Sequence, residues 1–273
     1  MNTAETPNPE RISQQAGRRL VIGRWGVELL PRHAYEVMYT PDQAVIGFAF
    51  ESQRGHHAFS SDRVLPFFSK PNSLAYVPGG CTVFSSSQDG GEYLRVTMSR
   101  DLAGSVSVQR QFNDFIDPIA IDAAQTIRTL LLTDAPATLL LEEKLIVLAE
   151  RVNSVVHGGL SAPRQARSMT SARLRQIDEI IDSTLGEDIS VKLMADALGL
   201  SEAFFIRAFK AAVGKSPHSY LIDRRLAAAR VLLESSRHDL REIALAVGFS
   251  SHAHMTAAFR SRLGITPSRL RGD

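Results

Sequence analysis

The chain has 273 residues, 44% of them hydrophobic and 22% charged, which excludes a disordered polymer and supplies one large or two modest cores. A single cysteine, Cys81, excludes a disulfide framework or a cysteine metal cluster, and no apolar run approaches the length of a membrane span. The net charge of +2 hides an asymmetry: residues 164–273 carry 17 Lys+Arg against 12 Asp+Glu, net +5, while residues 1–163 hold the remaining 14 and 17, net −3. A basic C-terminal half is the composition of a part that meets a polyanion.

Residues 1–17 contain Pro7, Pro9, Glu5 and Glu10 but no apolar core. They read as a polar, disordered arm rather than a secretion signal, and a cytoplasmic protein is expected. Residues 18–117 read as β structure. Short apolar or alternating runs at Val45–Phe50, Ser73–Val77 and Tyr93–Met98 are separated by turn signals at Thr40-Pro41-Asp42, Lys70-Pro71-Asn72, Pro78-Gly79-Gly80 and Asp89-Gly90-Gly91. That punctuation suggests a sandwich or barrel. After Asp117-Pro118 the period becomes helical. Ile119, Ala123, Ile127, Leu130 and Leu131 share one face, Pro136 marks a break, and Leu139 to Val156 carries the stripe Leu141, Leu145, Leu148, Val152. Residues 118–157 are therefore a helical segment that either covers the β domain or forms a dimer interface. Residues 158–170 open on Gly158-Gly159, are polar and basic and contain Pro163, and read as a linker. Residues 171–273 are helical throughout.

An internal repeat dominates this last part. LMADALGLSEAFFIRAFKAAVGKSP, residues 193–217, matches EIALAVGFSSHAHMTAAFRSRLGITP, residues 242–267. Ala195 pairs with Ala244, Gly199 with Gly248, Phe209 with Phe259, Gly214 with Gly264 and Pro217 with Pro267. The offset is 49 before the turn and 50 after it, so the second turn has one extra residue. Small Ala195 and Ala244 let the next helix cross closely. Gly199 and Gly248 end a helix where the backbone must turn left-handed. Ser201 caps the following helix, as Ser250 or Ser251 does in the second copy. Phe209 and Phe259 face inward. Ser216-Pro217 and Thr266-Pro267 are caps followed by proline, and Asp239 with Glu242 makes a capping box. Helix, tight turn and helix define two helix-turn-helix units, at about 191–212 and 239–262, joined by one long amphipathic helix from Pro217 to Glu234 that carries Tyr220, Leu221, Leu226, Ala229 and Leu232. The fold class is α+β.

Residues 171–273 resemble the AraC/XylS family of bacterial transcription regulators. The signature is Leu240-Arg-Glu-Ile-Ala-Leu-Ala-Val-Gly-Phe-Ser-Ser, then Phe259-Arg, Gly264-Ile-Thr-Pro267 and Arg269. The first unit adds Ala195, Gly199, Ser201, Phe209-Lys210, Gly214, Ser216-Pro217, Tyr220-Leu221, Arg225-Leu226 and Ala229. The resemblance implies two units reading adjacent major-groove segments of double-stranded DNA, an activator, and contact with RNA polymerase. It also implies a cupin-like jelly-roll domain in front that takes a small-molecule effector or supports a homodimer. No catalytic role and no cofactor are expected.

In the first unit Phe205 and Phe209 face the core, leaving Glu202, Ala203, Ile206, Arg207 and Lys210 toward DNA. Arg207 suits guanine O6 and N7, Ala203 and Ile206 suit thymine methyls, and Lys210 suits a phosphate. His252, Ala253, Thr256, Ala257 and Arg260 occupy the same face of the second unit. Ala257 departs from the arginine frequent in the family there, and Met255 replaces a common aromatic. In the β domain, adjacent His56 and His57 point to opposite sides of a strand. No histidine follows Pro78-Gly79-Gly80, so no metal is expected. Cys81 reads as a small buried residue, and Trp25, Phe48, Phe50, Phe67, Phe68 and Phe84 as core. The competing reading, a metal- or ligand-binding cupin enzyme fused to a helical DNA-binding module, would need a catalytic constellation in residues 18–117, and none stands out.

Overall fold

A computed structural model describes residues 17–98, 111–133, 137–160 and 164–272. They divide into two compact units, residues 1–127 with 137–161, and residues 128–136 with 162–273. The arm expected at 1–17 lies, apart from Gly17, outside the described residues.

The first unit contains ten strands: β1 (Arg18–Ile22), β2 (Trp25–Leu30), β3 (Tyr35–Tyr39), β4 (Val45–Ala49), β5 (Gln53–Phe59), β6 (Leu65–Ser69), β7 (Ser73–Val77), β8 (Val83–Ser87), β9 (Tyr93–Met98) and β10 (Phe112–Phe115). They form a six-stranded sheet ordered β1-β2-β9-β4-β7-β10 and a four-stranded sheet ordered β3-β8-β5-β6. The described pairings are antiparallel.

Register decides what each face does, because side chains alternate along a strand. In the large sheet Val27 pairs with Val96, Leu29 with Leu94, and Phe48 with both Leu94 and Leu74. These residues are at most 3% exposed. Helix α1 (Pro118–Leu132) and helix α2 (Thr138–Val156) follow the strands. Leu141, Leu145, Leu148 and Val152 of α2 are buried within the chain, and α2 packs on β4 and β7. The stripe therefore serves as a cover over the sheet. Arg151 on α2 grips Asp117 through two hydrogen bonds of 2.6 and 3.1 Å, and Asp117 also accepts from the Ala120 amide at the start of α1. The face expected on α1 needs correcting. Ile119 is 51% exposed and Leu130 half-buried, whereas Ala120, Ala123, Ala124 and Ile127 are buried. The inward face starts one residue later than the apolar spacing suggests, because alanines fill it.

The second unit contains α3 (Ser171–Ser183), α4 (Val191–Ala197), α5 (Glu202–Val213), α6 (Pro217–Ser235), α7 (Leu240–Ala246), α8 (His252–Leu263) and α9 (Pro267–Arg271). Each opens on a side chain that accepts from a backbone amide of its first turn: Thr170, Ser190, Ser201, Ser216, Asp239, Ser251 and Thr266. Such caps contribute about 1 kcal/mol each. The segment read as a linker is partly folded: Arg164–Ser168 is a 3-10 helix that packs on α5, with Ala166 and Met169 buried. Its polar composition concealed these two apolar anchors.

Helix α6 is the spine of this unit. Tyr220, Leu221, Leu226, Ala229 and Leu233 are buried along it, while Leu232, expected inward, is half-buried. Arg224 is also buried. It pairs with Asp178 and Asp182 of α3, and its Nη1 donates to the Tyr220 hydroxyl. Burial disfavours this cation, but Tyr220 and the two carboxylates outweigh that and raise its pKa above the ordinary arginine value. The neighbouring Arg225 instead donates to the Glu187 carbonyl at 2.8 Å, in the loop between α3 and α4.

Candidate DNA-contacting helices

The two turns share one hydrogen-bond pattern. The Leu200 amide donates to the Ala195 carbonyl at 3.0 Å, and the Phe249 amide to the Ala244 carbonyl at 2.8 Å. The amides of Gly199 and Gly248 close the inner ring onto Asp196 and Leu245. This is the Schellman arrangement, which needs a left-handed residue at the glycine. The φ values are +64° at Gly199 and +88° at Gly248. Ala195 and Ala244 are fully buried beneath the turns, in keeping with the close crossing expected of them.

The surroundings of the glycines differ. A Cβ at Gly199 would meet nothing within 4 Å. One at Gly248 would stand 2.4 Å from the Leu185 carbonyl oxygen and 2.7 Å from the Arg225 guanidinium. The second turn also has its extra residue, Ser250. The cap of α8 is Ser251, while the Ser250 hydroxyl lies 3.0 Å from His254 Nδ1.

Helices α5 and α8 bury equivalent positions. Phe205, Ala208 and Phe209 face inward on α5, as Met255 and Phe259 do on α8. Outward on α5 stand Glu202, Ala203, Ile206, Arg207 and Lys210, all exposed. On α8, His252, Ala253, Ala257 and Arg260 are exposed. Among the described residues Arg207, Lys210 and Arg260 enter no ion pair, so their charges face outward uncompensated. Thr256 departs from expectation. It is half-buried, and its Oγ1 is sealed from solvent with no hydrogen-bond partner among the described residues. It does not offer its hydroxyl to an outside partner. Two exposed residues were missed, Phe204 and His254. Phe204 hid among three aromatic and apolar neighbours. His254 packs edge-on against Phe249 at 5.2 Å, a contact set by the extra turn residue.

Two capped helices behind tight glycine turns, with outward cations, define a pair of helix-turn-helix units. A family model described as a helix-turn-helix domain matches residues 194–273. The Msm operon regulatory protein of Streptococcus mutans is 30% identical over 114 residues, 42% of this chain and 41% of that protein. The transcriptional activator RhaS of Escherichia fergusonii is 30% identical over 126 residues, 46% of this chain and 42% of that protein. The virulence regulon activator VirF of Yersinia enterocolitica is 28% identical over 160 residues, 57% of each chain. The chain thus spans well under two thirds of these relatives. A solved AraC-type regulator from Chromobacterium violaceum is 31% identical, covering 37% of this chain and 90% of that one, with a TM-score of 0.36. The C-terminal domain is thus of the AraC/XylS type.

Proposed function

We propose that this protein is a sequence-specific transcription regulator, an activator, that sets α5 and α8 into successive major-groove segments about 10 base pairs apart. The observation that carries this reading is the matched pair of glycine turns presenting uncompensated Arg207, Lys210 and Arg260. Arg207 reads a base, with Ala203 and Ile206 beside it. Lys210 and Arg260 hold phosphates, and Glu202, His252, Ala253 and Ala257 shape the fit. RNA polymerase is the partner through which bound DNA becomes transcription; the relatives RhaS and VirF are transcriptional activators.

The β unit is read as a cupin-like domain that controls DNA binding through a small effector, within a homodimer. Because the inner stripe of α2 is buried, the dimer contact falls to its outer side, where Leu139 and Ile146 are exposed. Sedimentation of wild type and Ile146→Glu tests this part. A wild type that stays monomeric on DNA would remove it.

The test of DNA recognition is binding of the full chain to a selected site across a salt series. Affinity should fall steeply with salt as lysines and arginines displace counterions. Equal affinity for selected and scrambled DNA at every salt concentration would refute the reading. Residues 162–273 should retain this binding. A fragment starting at Ser171 should be less stable, since it lacks Ala166 and Met169.

A further inference from the structure

The large sheet has two buried faces of different character. One, with Val27, Leu29, Phe48, Leu74, Leu94 and Val96, is buried and apolar. The other, with the small sheet, encloses a cavity of about 180 Å³. A cavity of about 150 Å³ suffices for benzene, so this one has room for one aromatic ring and a small substituent.

Its wall is largely aromatic. The His57 and Phe67 rings are parallel, 5.0 Å apart with 9° between their planes, and Phe59 lies 4.9 Å from His57. Phe59 and Tyr39 both pack on the cluster Val45, Val77 and Val83. Arg95 sits over the Tyr39 ring, 5.3 Å from its centre. An aromatic row therefore runs from Arg95 to Phe67. Phe67, expected in the core, lines this space, while His56 is exposed on the other side of its strand.

The polar groups narrow the ligand. The Tyr35 hydroxyl donates to Gln53 Oε1 at 3.2 Å and lies 3.3 Å from Ser85 Oγ, and Gln53 donates on to the Gly91 carbonyl. These groups satisfy one another and leave little for the many hydroxyls of a sugar. Burial raises the pKa of Tyr35, Tyr39 and Tyr93, keeping the phenols neutral, and lowers that of His57. Among the described residues Arg95 is the one lysine or arginine lining the space. Its Nη1 reaches Glu28 at 3.2 Å, but Glu28 is shared with Arg19 at 3.4 Å, so the trio carries a surplus positive charge. Arg95 Nε is buried with no partner among the described residues.

We propose that the cavity between the two sheets binds a small planar aromatic monocarboxylate, its ring along the His57–Phe67 wall and its carboxylate at Arg95. This names the effector class for the regulatory site read above and rests on that reading only for its effect on DNA. A charge-assisted bond to a guanidinium is the strong kind, and the single surplus positive charge of the trio selects a monoanion.

The test is calorimetric titration of the purified full chain with benzoate, benzamide and cyclohexanecarboxylate, beside its DNA affinity. Benzoate should bind once per chain, at least about tenfold more tightly than the neutral or the non-planar probe. Arg95→Gln should bring benzoate down to the level of benzamide and leave benzamide unchanged. Ala75→Phe, which fills the cavity, should abolish both while the protein still melts cooperatively. Lack of benzoate binding, lack of preference over benzamide, or benzoate binding that survives Ala75→Phe would overturn the proposal. Those outcomes with intact DNA binding leave the regulator reading standing. Benzoate binding in the expected order, with no DNA binding in either state, keeps the cavity proposal and removes the regulator reading.

Discussion

The two helix-turn-helix units share their turns, caps and buried positions, yet they are held in place differently. The first stands on charge. Lys215, just after α5, has a largely buried side chain beside Asp223 of α6, and burial pulls its pKa below the usual lysine value against that carboxylate. The equivalent residue of the second unit is Ile265, only 4% exposed. The second unit stands on close packing, with Gly248 pressed on the Leu185 carbonyl while Gly199 faces open space. A sequence repeat thus conserves the geometry of a turn more strictly than the means of anchoring it.

The largest effect should come from breaking the charged anchor. Asp223→Asn leaves Lys215 buried without its countercharge and should cost about 3 kcal/mol of unfolding free energy. Replacing both, Lys215→Ile with Asp223→Leu, should return within about 1 kcal/mol of wild type, since an apolar pair of similar volume replaces a buried ion pair at little cost. Chemical denaturation measures both. A harmless single substitution would show that the two units are anchored alike.

Next is the pair of turn glycines. Gly199→Ala should cost about 1–2 kcal/mol, the penalty of a left-handed non-glycine residue. Gly248→Ala adds a backbone collision and should cost more, about 2–3 kcal/mol. Equal shifts in melting temperature would remove the packing half of the comparison.

The outward faces should differ in DNA binding. Arg207→Ala should lose about 1–3 kcal/mol at one cluster of base positions. Arg260→Ala should weaken all sequences alike and reduce the salt slope by about 1. Single-base scanning of a bound site separates these, and larger penalties under α8 than under α5 would reverse the division of labour. The smallest effects concern the caps. Ser201→Ala and Ser251→Ala should each cost about 1 kcal/mol, whereas Ser250→Ala, which leaves the cap in place, should cost less than half of that.

What the sequence reveals is local chemistry at fixed spacing. Gly199, Gly248, Ser201, Asp239 and Pro217 each act on backbone within a few residues, so their roles are legible one turn at a time. Residues whose role depends on distant partners are not. Thr256 and Phe204 sit one step from the expected face, and only packing against neighbouring helices decides which way each points. Ile119 and Ala120 are resolved in the same way. The cavity is the strongest case. Along β5 and β6, His57 and Phe67 alternate as core residues would, and nothing in a strand pattern separates a side chain that fills an interior from one that lines a hollow. Buried Arg224 and half-buried Arg95 look in sequence like ordinary surface arginines.

Helix α6 has 19 residues and runs unbroken between the two units. At about 1.5 Å and 100° per residue it is a strut of about 28 Å whose length also sets an angle. Adding or removing one residue within it would shift one reading head by little but swing it by more than a quarter turn, away from the side of the duplex its twin faces. If the proposed DNA reading holds, the spacing between half-sites is written in the residue count of α6.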